Sequence, residues 1–220
     1  QWAWHSFPNP QHYSLDDVTR DFKVHGREVP YVTNVSTPAR GKAASDWLRE
    51  NPHRLDLGLI GWDMTTPSGD RVPLDSVTGI RQRLDLWEGT IYSHFIAAGR
   101  PVDVTTLALQ DADGIAVKAS SPLLGSGQLR VNFHFSYGSG DWGDARNWNS
   151  PEKHRSLVID SAADHVVIRR VLDSTVYYVL VRWEGQASWK RLKPHEFELA
   201  AAGGDRVLKF TCVFSREDPT

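Results

Sequence analysis

The sequence predicts an all-β, mostly antiparallel protein in which two sheets pack face to face as a β-sandwich. About ten segments alternate apolar and polar residues with the two-residue period of a strand. Turn signals such as Glu88-Gly89 and Gly203-Gly204 separate them at short intervals, with almost no helix between them. This arrangement favours antiparallel sheets, and a sandwich rather than a closed barrel.

The first part of the chain, residues 1–71, is predicted as an irregular lead-in with a single helix over about residues 38–50. Three prolines interrupt any regular period before that helix: Pro8, Pro10 and Pro30. Thr37 is the expected N-cap, Pro38 occupies the first helical position, and Asn51-Pro52 ends the helix.

Residues 72–215 are predicted as the strand-rich part of one domain that spans residues 1–220. The clearest strand is Gln128–Tyr137, with Leu129, Val131 and Phe133 on its inner face. Val176–Trp183 and Arg206–Phe214 show the same alternation. Seven shorter strands are also expected: Ile80–Leu86, Thr90–Ala98, Val102–Leu109, Gly114–Ala119, Ser156–Asp160, His165–Leu172 and Glu196–Ala201.

Composition excludes several classes of function. The 220 residues carry 25 Lys and Arg against 27 Asp and Glu, a net charge of −2, which indicates no partner among nucleic acids or anionic membranes. No apolar run is long enough to span a membrane. The single cysteine, Cys212, excludes a multi-thiolate metal site and is predicted to be a buried structural thiol. No cofactor motif, hydrolase motif or metal-type histidine spacing is present, so neither a metal nor a cofactor is expected.

The unusual feature of the composition is its number of Trp residues, which is 9. Trp47, Trp87 and Trp183 are predicted to pack within the scaffold, whereas Trp62 and Trp189 stay undecided. The other four lie in two segments that do not look like scaffold, residues 2–13 and residues 137–154. Both segments combine aromatic rings with hydrogen-bonding side chains, a combination that suits sugars.

From these two segments we predict seven residues that contact carbohydrate or line its cleft: Trp4, His5, Asn9, Asp141, Trp142, Asp144 and Trp148. Two alternatives remain open. The first segment could be a strap over a sheet face, and the second could use its Trp rings to pin its own loop to the sandwich. A weaker signal for Ca²⁺ comes from Asp141 and Asp144 together with Asn147 or Asn149.

Several motifs resemble a known family when taken in order. They are Gln82–Gly89 (QRLDLWEG), Gly99–Thr106 (GRPVDVTT) and Ala116–Lys118 (AVK). This series is similar to the N-terminal β-sandwich domain of six-hairpin glycoside hydrolases over about residues 1–215. The segments Trp4–Pro10, Asn51–Gly58 and Asp141–His154 resemble a bacterial subgroup of these proteins.

The resemblance implies a galactose-mutarotase-like supersandwich that precedes an (α/α)₆ barrel related to the maltose phosphorylase and bacterial α-fucosidase types. In such enzymes the catalytic carboxylates lie in the barrel, so the resemblance implies no catalytic residue in this chain. It also implies that the partners are the C-terminal helical barrel of the same polypeptide and a carbohydrate, and that the location is periplasmic or secreted. The chain starts at Gln1 with no Met, and we expect it to be a segment of something longer.

Three functional hypotheses differ in what the Trp rings touch. A glycoside hydrolase N-terminal domain would present them to sugar in a shared cleft, and a free-standing carbohydrate-binding module would use coplanar rings as a stacking platform. A structural interface domain would instead bury them against protein, and it predicts an exposed apolar patch. A mutarotase-like enzyme is a fourth, weaker possibility, which would need a His and a Glu on one concave sheet face. His134 lies on a polar strand face, but the sequence names no partner for it.

Overall fold

The structure is a computed structural model that describes residues 2–33 and 39–220. The main helix, α1, is Ala39–Glu50, and a short helix, α2, is Pro122–Gly125; three single 3₁₀ turns are Leu15–Asp17, Leu74–Ser76 and Pro151–Lys153. The described strands are β1 Trp2–His5, β2 Thr19–Val24, β3 Arg27–Val32, β4 His53–Asp56, β5 Leu59–Met64, β6 Thr78–Asp85, β7 Thr90–Ala97, β8 Arg100–Ala108, β9 Gly114–Ser120, β10 Leu129–His134, β11 Tyr137–Gly138, β12 Arg146–Asn147, β13 His154–Ser161, β14 His165–Leu172, β15 Thr175–Glu184, β16 Ala187–Lys193, β17 Glu196–Ala201 and β18 Val207–Ser215.

Two antiparallel sheets of unequal width form the sandwich, which confirms the predicted fold class. The larger sheet has eight strands in the order β13-β14-β15-β18-β9-β8-β7-β6, and the smaller has four in the order β16-β17-β10-β5. Three two-stranded ribbons, β1-β4, β2-β3 and β11-β12, lie outside them. The described strands pair antiparallel throughout, as expected when consecutive strands are joined by short turns.

The core lies between the inner faces of the two sheets. Val131 and Phe133 of β10 are buried, as the alternation predicted, and the Phe133 ring lies 5.8 Å from that of Phe210 on β18. Cys212, on the same face of β18, is fully buried, and burial raises the pKa of its thiol to about 12. It is therefore a packing residue, as predicted.

The lead-in contains more regular structure than the sequence predicted, because five strands fall within residues 2–64. Strands β2 and β3 form a hairpin whose turn residues, His25 and Gly26, have φ of 48° and 78°. Pro30 fits in β3 because a two-stranded ribbon leaves one side of each strand unpaired. Strands β1 and β4 pair with each other across the intervening chain, which no local pattern reveals.

Helix α1 ends at Glu50 as predicted, while its expected start at Thr37 and Pro38 lies outside the described residues. Trp47 is half-buried, and its indole nitrogen donates to the Pro8 carbonyl oxygen at 3.3 Å. The amide of Asn51 then accepts from the Phe7 backbone N–H at 2.7 Å. These contacts hold the helix against the segment that contains Phe7 and Pro8.

Two tryptophans that the sequence left undecided belong to the scaffold. Trp189 lies parallel to the buried Trp183, with ring centres 6.3 Å apart, and Trp62 packs against the same core. Trp183 itself is buried, so it is a packing residue, as predicted.

The prediction for Trp87 is wrong, because its side chain is 97% exposed in the β6–β7 turn. The reason lies in the unequal width of the sheets. Leu84, Ile91, Thr106 and Val117 are neighbours in one row across β6 to β9, and exposure falls from 54% at Leu84 to 7% at Val117. The larger sheet thus extends beyond the smaller one at β6 and leaves its end uncovered.

Candidate functional site

The two Trp-bearing segments meet on one side of the sandwich, next to strand β4. In the β1–β4 ribbon Trp2 lies opposite Asp56, and Trp4 lies opposite Arg54. The Arg54 guanidinium then donates to the main-chain carbonyl oxygen of Trp142 at 3.1 Å. Strand β4, which the sequence did not predict, therefore joins the two segments.

An open cavity of about 720 Å³ lies where these segments meet. Its walls include two aromatic rings and four charged side chains: Trp2, Phe214, Arg54, Asp56, Asp144 and Arg146. A second cavity of about 540 Å³ includes Trp2 and Trp4 in its wall, together with the end of β18. Trp2 thus contributes to both cavities.

Three indole rings at this site are accessible. Trp2 is 59% exposed, Trp4 is 57% exposed and Trp142 is 81% exposed. The rings of Trp2 and Trp4 lie 5.3 Å apart with an interplanar angle of 89°, which is an edge-to-face pair. Neither segment is buried under the core of the domain.

The charged groups of the larger cavity balance one another. Arg146 Nε lies 2.9 Å from a carboxylate oxygen of Asp144 and 3.7 Å from one of Asp56. The hydrogen bond from Arg146 lowers the pKa of Asp144, so this carboxylate is ionised at neutral pH. With Arg54 as the second cation, the four groups have no net charge but still offer donors and acceptors.

Two predicted contact residues do not reach this surface. The side chain of His5 is 1% exposed, because the alternation of β1 turns it inward when Trp2 and Trp4 point outward. Both amide atoms of Asn9 are used by the backbone of Tyr13, at 2.9 Å each. His5 is therefore removed from the contact set, and the amide of Asn9 closes a turn.

In the second segment, Asp141 and Trp148 have local structural roles. Asp141 accepts from the backbone N–H of Gly143 at 2.8 Å, a contact that shapes the loop. Trp148 stacks on His134 with ring centres 4.1 Å apart and stays 37% exposed, so it pins the loop to the four-stranded sheet. Trp142 and Asp144 remain at the open surface.

The structure shows which glutamate lies beside His134, a point that the sequence left open. Glu196 lies opposite it on β17, and accepts hydrogen bonds from Asn132 at 2.9 Å and Lys193 at 3.0 Å. Burial opposes ionisation of Glu196, but these two bonds lower its pKa, while burial lowers the pKa of His134. Glu196 is therefore hydrogen-bonded to Asn132 and Lys193 rather than to His134.

A buried cluster around Arg170 was missed by sequence reasoning. Arg170 is fully buried and donates to the carbonyl oxygens of Arg155 and Ser136 and to His154 Nδ1. In the part of the chain that the structure describes, no carboxylate lies within ion-pair distance of it. The sequence signal for this cluster was a charged residue, Arg170, on the inward face of β14 between Ile168 and Leu172.

The same cluster contains a serine and histidine pair that is structural. Ser156 Oγ lies 2.8 Å from His195 Nδ1, which resembles a nucleophile beside its base. However, Ser156 is 1% exposed, and its oxygen also accepts from Arg170 at 2.6 Å. Burial first, and then the charge of Arg170, lower the pKa of His154 to about 3, so the cluster has neutral imidazoles.

Over residues 2–33 and 39–220, no group of three or more His, Cys, Asp or Glu side chains is placed to hold a metal ion. The same residues include no helix long and apolar enough to cross a membrane.

No protein-family model and no curated protein matches this sequence. Among solved structures, the fold matches a human-microbiome protein provisionally named a kojibiose phosphorylase, with 10% sequence identity and a TM-score of 0.48. The match covers 76% of this chain and 24% of that one, so the chain spans about a quarter of the length of that protein. At this identity the likeness concerns the fold alone.

Proposed function

We propose that this chain is the N-terminal β-sandwich domain of a six-hairpin glycoside-hydrolase-type enzyme, and that it presents Trp2, Trp4 and Trp142 to carbohydrate. The convergence of the two Trp-bearing segments around one open cavity is the observation that carries the proposal. Indole rings bind the apolar faces of sugars, and paired Arg and Asp groups bind hydroxyls. The motifs Gln82–Gly89 and Gly99–Thr106 support the domain type.

In this proposal the sandwich binds and orients carbohydrate, while a following helical barrel supplies the catalytic acid and base. The described part of this chain offers no exposed pair of carboxylates free of other partners beside Trp2, because Asp56 and Asp144 both face Arg146. A set of charges that sums to zero favours neutral sugars over strongly charged ones, because the site has no excess of either sign.

A free-standing carbohydrate-binding module has weaker support from the geometry. Such a module needs roughly coplanar rings that a sugar chain can lie across. Trp2 and Trp4 are perpendicular instead, so together they form a corner rather than a flat platform. A corner suits the rim of a cleft whose other wall belongs to a second domain.

An interface role for part of the surface is the second candidate, and the uncovered end of the larger sheet favours it. Along β6 and its turn Ile80 is 69% exposed, Leu84 54%, Leu86 85% and Trp87 97%. Apolar side chains grouped at an uncovered sheet end are typical of surfaces that pack against protein. This region is where we place the contact with the helical barrel.

The carbohydrate proposal can be tested through the indole N–H signals of the ¹⁵N-labelled chain in NMR. Neutral disaccharides of glucose, including maltose and kojibiose, are titrated into the protein. We expect the signals of Trp2 and Trp4 to shift, because these rings border the two cavities. The signal of Trp142 is expected to shift as well, because its ring is 81% exposed and its neighbours Gly143 and Asp144 line the larger cavity. Glucuronic acid at the same concentration is expected to shift them less.

Trp87 is the matched control, since it is an even more exposed Trp far from the cavities in sequence. Its signal should stay in place, and Trp87→Ala should leave the titration unchanged, whereas Trp142→Ala should abolish the shifts at Trp2. Equal shifts at Trp87 and Trp142 would mean non-specific contact, and the carbohydrate site would then be rejected. Unmoved signals at Trp2, Trp4 and Trp142 would reject it as well.

A further inference from the structure

Beneath the Trp-bearing strand lies a buried chain of hydrogen bonds, here termed the His5 chain, formed by His53, His5, Asp173 and Tyr137. His53 Nδ1 lies 3.1 Å from the Glu50 carbonyl oxygen, and His53 Nε2 lies 2.9 Å from His5 Nδ1. His5 Nε2 lies 3.1 Å from Asp173 Oδ2, which also accepts from the Tyr137 hydroxyl. The four side chains come from β4, β1, the β14–β15 turn and β11.

The contact between the two imidazoles is sealed by close packing. A Cβ added at Gly138 would lie 2.7 Å from His53 Nε2 and 2.9 Å from His5 Nδ1, so only glycine allows the backbone to approach this closely. The Phe7 ring packs edge-on against His5 and 4.4 Å from the centre of the His53 ring. Solvent therefore has little room to substitute for either nitrogen.

The available acceptors limit the number of protons in the His5 chain. The Glu50 carbonyl oxygen can only accept, so His53 donates from Nδ1. Asp173 Oδ2 already accepts from the Tyr137 hydroxyl, so His5 donates to this oxygen from Nε2. Two neutral imidazoles arranged in this way have no proton left for the contact between them. Every other combination of neutral tautomers leaves at least one of the other two contacts without its proton.

One additional proton would therefore complete the three contacts of the chain. A second additional proton would place two N–H groups face to face across 2.9 Å. The closed His5 chain thus accommodates at most one excess proton, although it contains two imidazoles.

We propose that His5 and His53 form an acid-opened latch that positions the Trp-bearing strand β1. Two imidazoles released by opening bind two protons at acidic pH, whereas the closed chain binds at most one. Proton linkage then favours opening as the pH falls. The β1–β4 pairing ends at the His5–His53 pair, so opening there frees the strand that carries Trp2 and Trp4.

The charges around the latch agree with this direction. Burial is the main cause that lowers the pKa of His5 and of His53, and His53 lowers that of His5 further. Asp173 acts the other way on both imidazoles, and Glu50 of α1 does so on His53. Beyond Tyr137 lie Lys153, 5.8 Å from its ring, and neutral His154, with ring centres 5.9 Å apart. In the latch, His5 and His53 are positioning residues. This role goes beyond the proposed function, because the latch requires no sugar.

Hydrogen exchange measured by mass spectrometry at about pH 7.5, 6.5 and 5.5 tests the latch. After correction for the intrinsic exchange rate, protection of a peptide covering β1 is expected to fall by up to about tenfold per pH unit, the limit for one linked proton. A peptide covering β18 reports on the whole fold and is expected to change less. Parallel loss in both peptides would mean global unfolding and would reject the latch.

Variants distinguish the pH dependence caused by the latch from that caused by other histidines. The double substitution His5→Gln and His53→Gln is expected to abolish the pH dependence at β1, whatever its absolute protection. Asp173→Asn should move opening to higher pH, because it removes the counter-charge. His94→Gln, at a half-buried histidine 2.8 Å from Asp103, should behave like the unaltered chain. A flat profile in the unaltered chain, or an unchanged slope in the double variant, would overturn the proposal.

Discussion

Arg54 and Trp142 are joined by a hydrogen bond of 3.1 Å that connects positions 88 residues apart, from a guanidinium nitrogen to a main-chain carbonyl oxygen. The contact attaches the Trp142 loop to strand β4, and β4 in turn pairs with the strand that carries Trp2 and Trp4. The arrangement of the candidate surface therefore depends on Arg54 as much as on the rings themselves.

Arg54→Ala is expected to loosen the Trp142 loop without unfolding the protein. The bond is exposed, so its loss should cost about 1 kcal/mol or less of unfolding free energy. If sugar binding must then order the loop at a cost of about 1 kcal/mol, the affinity for a disaccharide falls by about fivefold. The measurement is an NMR titration that follows the Trp142 indole signal.

The matched control for Arg54→Ala is Arg71→Ala, since Arg71 is an 84% exposed arginine 3.7 Å from Asp63. It should change neither the binding nor the signal of Trp142. If both variants weaken binding equally, the effect is one of net charge, and the role assigned to the hydrogen bond is wrong.

Arg170→Ala is expected to destabilise the fold strongly. The change leaves the buried carbonyl oxygen of Ser136 and Nδ1 of His154 without their donor, and it also opens a cavity. We expect a loss of about 3–5 kcal/mol in the unfolding free energy from urea melts. Arg182→Ala, at an arginine whose side chain is 57% exposed, should stay within about 0.5 kcal/mol. Similar losses for the two variants would contradict the structural role of Arg170.

Stability is expected to fall as the solution is acidified below about pH 6.5, the ordinary value for histidine. His154 has its pKa lowered to about 3 in the folded state, so below pH 6.5 the unfolded chain takes up a proton that the folded chain refuses. This single group contributes up to about 1.4 kcal/mol per pH unit until the folded pKa is reached. Urea melts at a series of pH values measure the slope.

The variant His154→Asn can still accept from Arg170 but cannot be protonated. It should reduce the slope without removing it, because burial also lowers the pKa of His5, His53 and His195. A slope equal to that of the unaltered chain would show that His154 does not control acid stability.

Gly58→Ala is expected to destabilise the protein where β4 and β5 meet. A Cβ there would lie 2.8 Å from the Phe135 ring, which is buried and has little room to move. The expected loss is about 1–3 kcal/mol in a thermal or urea melt. Gly61→Ala is the control, because nothing lies within 4 Å of a Cβ at that position. Equal effects at both glycines would point to backbone entropy rather than to a steric clash.

Local pattern was sufficient wherever a strand is long and has one buried face. The alternation around Phe133 and that around Cys212 placed these side chains in the core correctly. Pattern was insufficient for Trp87, because a strand sequence does not say whether a second sheet covers it. It was insufficient for His5 too, because β1 is only four residues long and its partner strand lies far along the chain.

The sequence by itself determined that this chain is an antiparallel β-sandwich, that its aromatic and polar excess lies in two segments, and that it lacks the motifs of common cofactor enzymes. Only the tertiary structure decided that Arg54 joins those segments, that His5 turns inward and that Arg170 is buried without a carboxylate. The physical reason is that the two-residue period of a strand depends only on residues that are neighbours in the chain. Contacts between distant segments depend instead on packing, which no local period encodes.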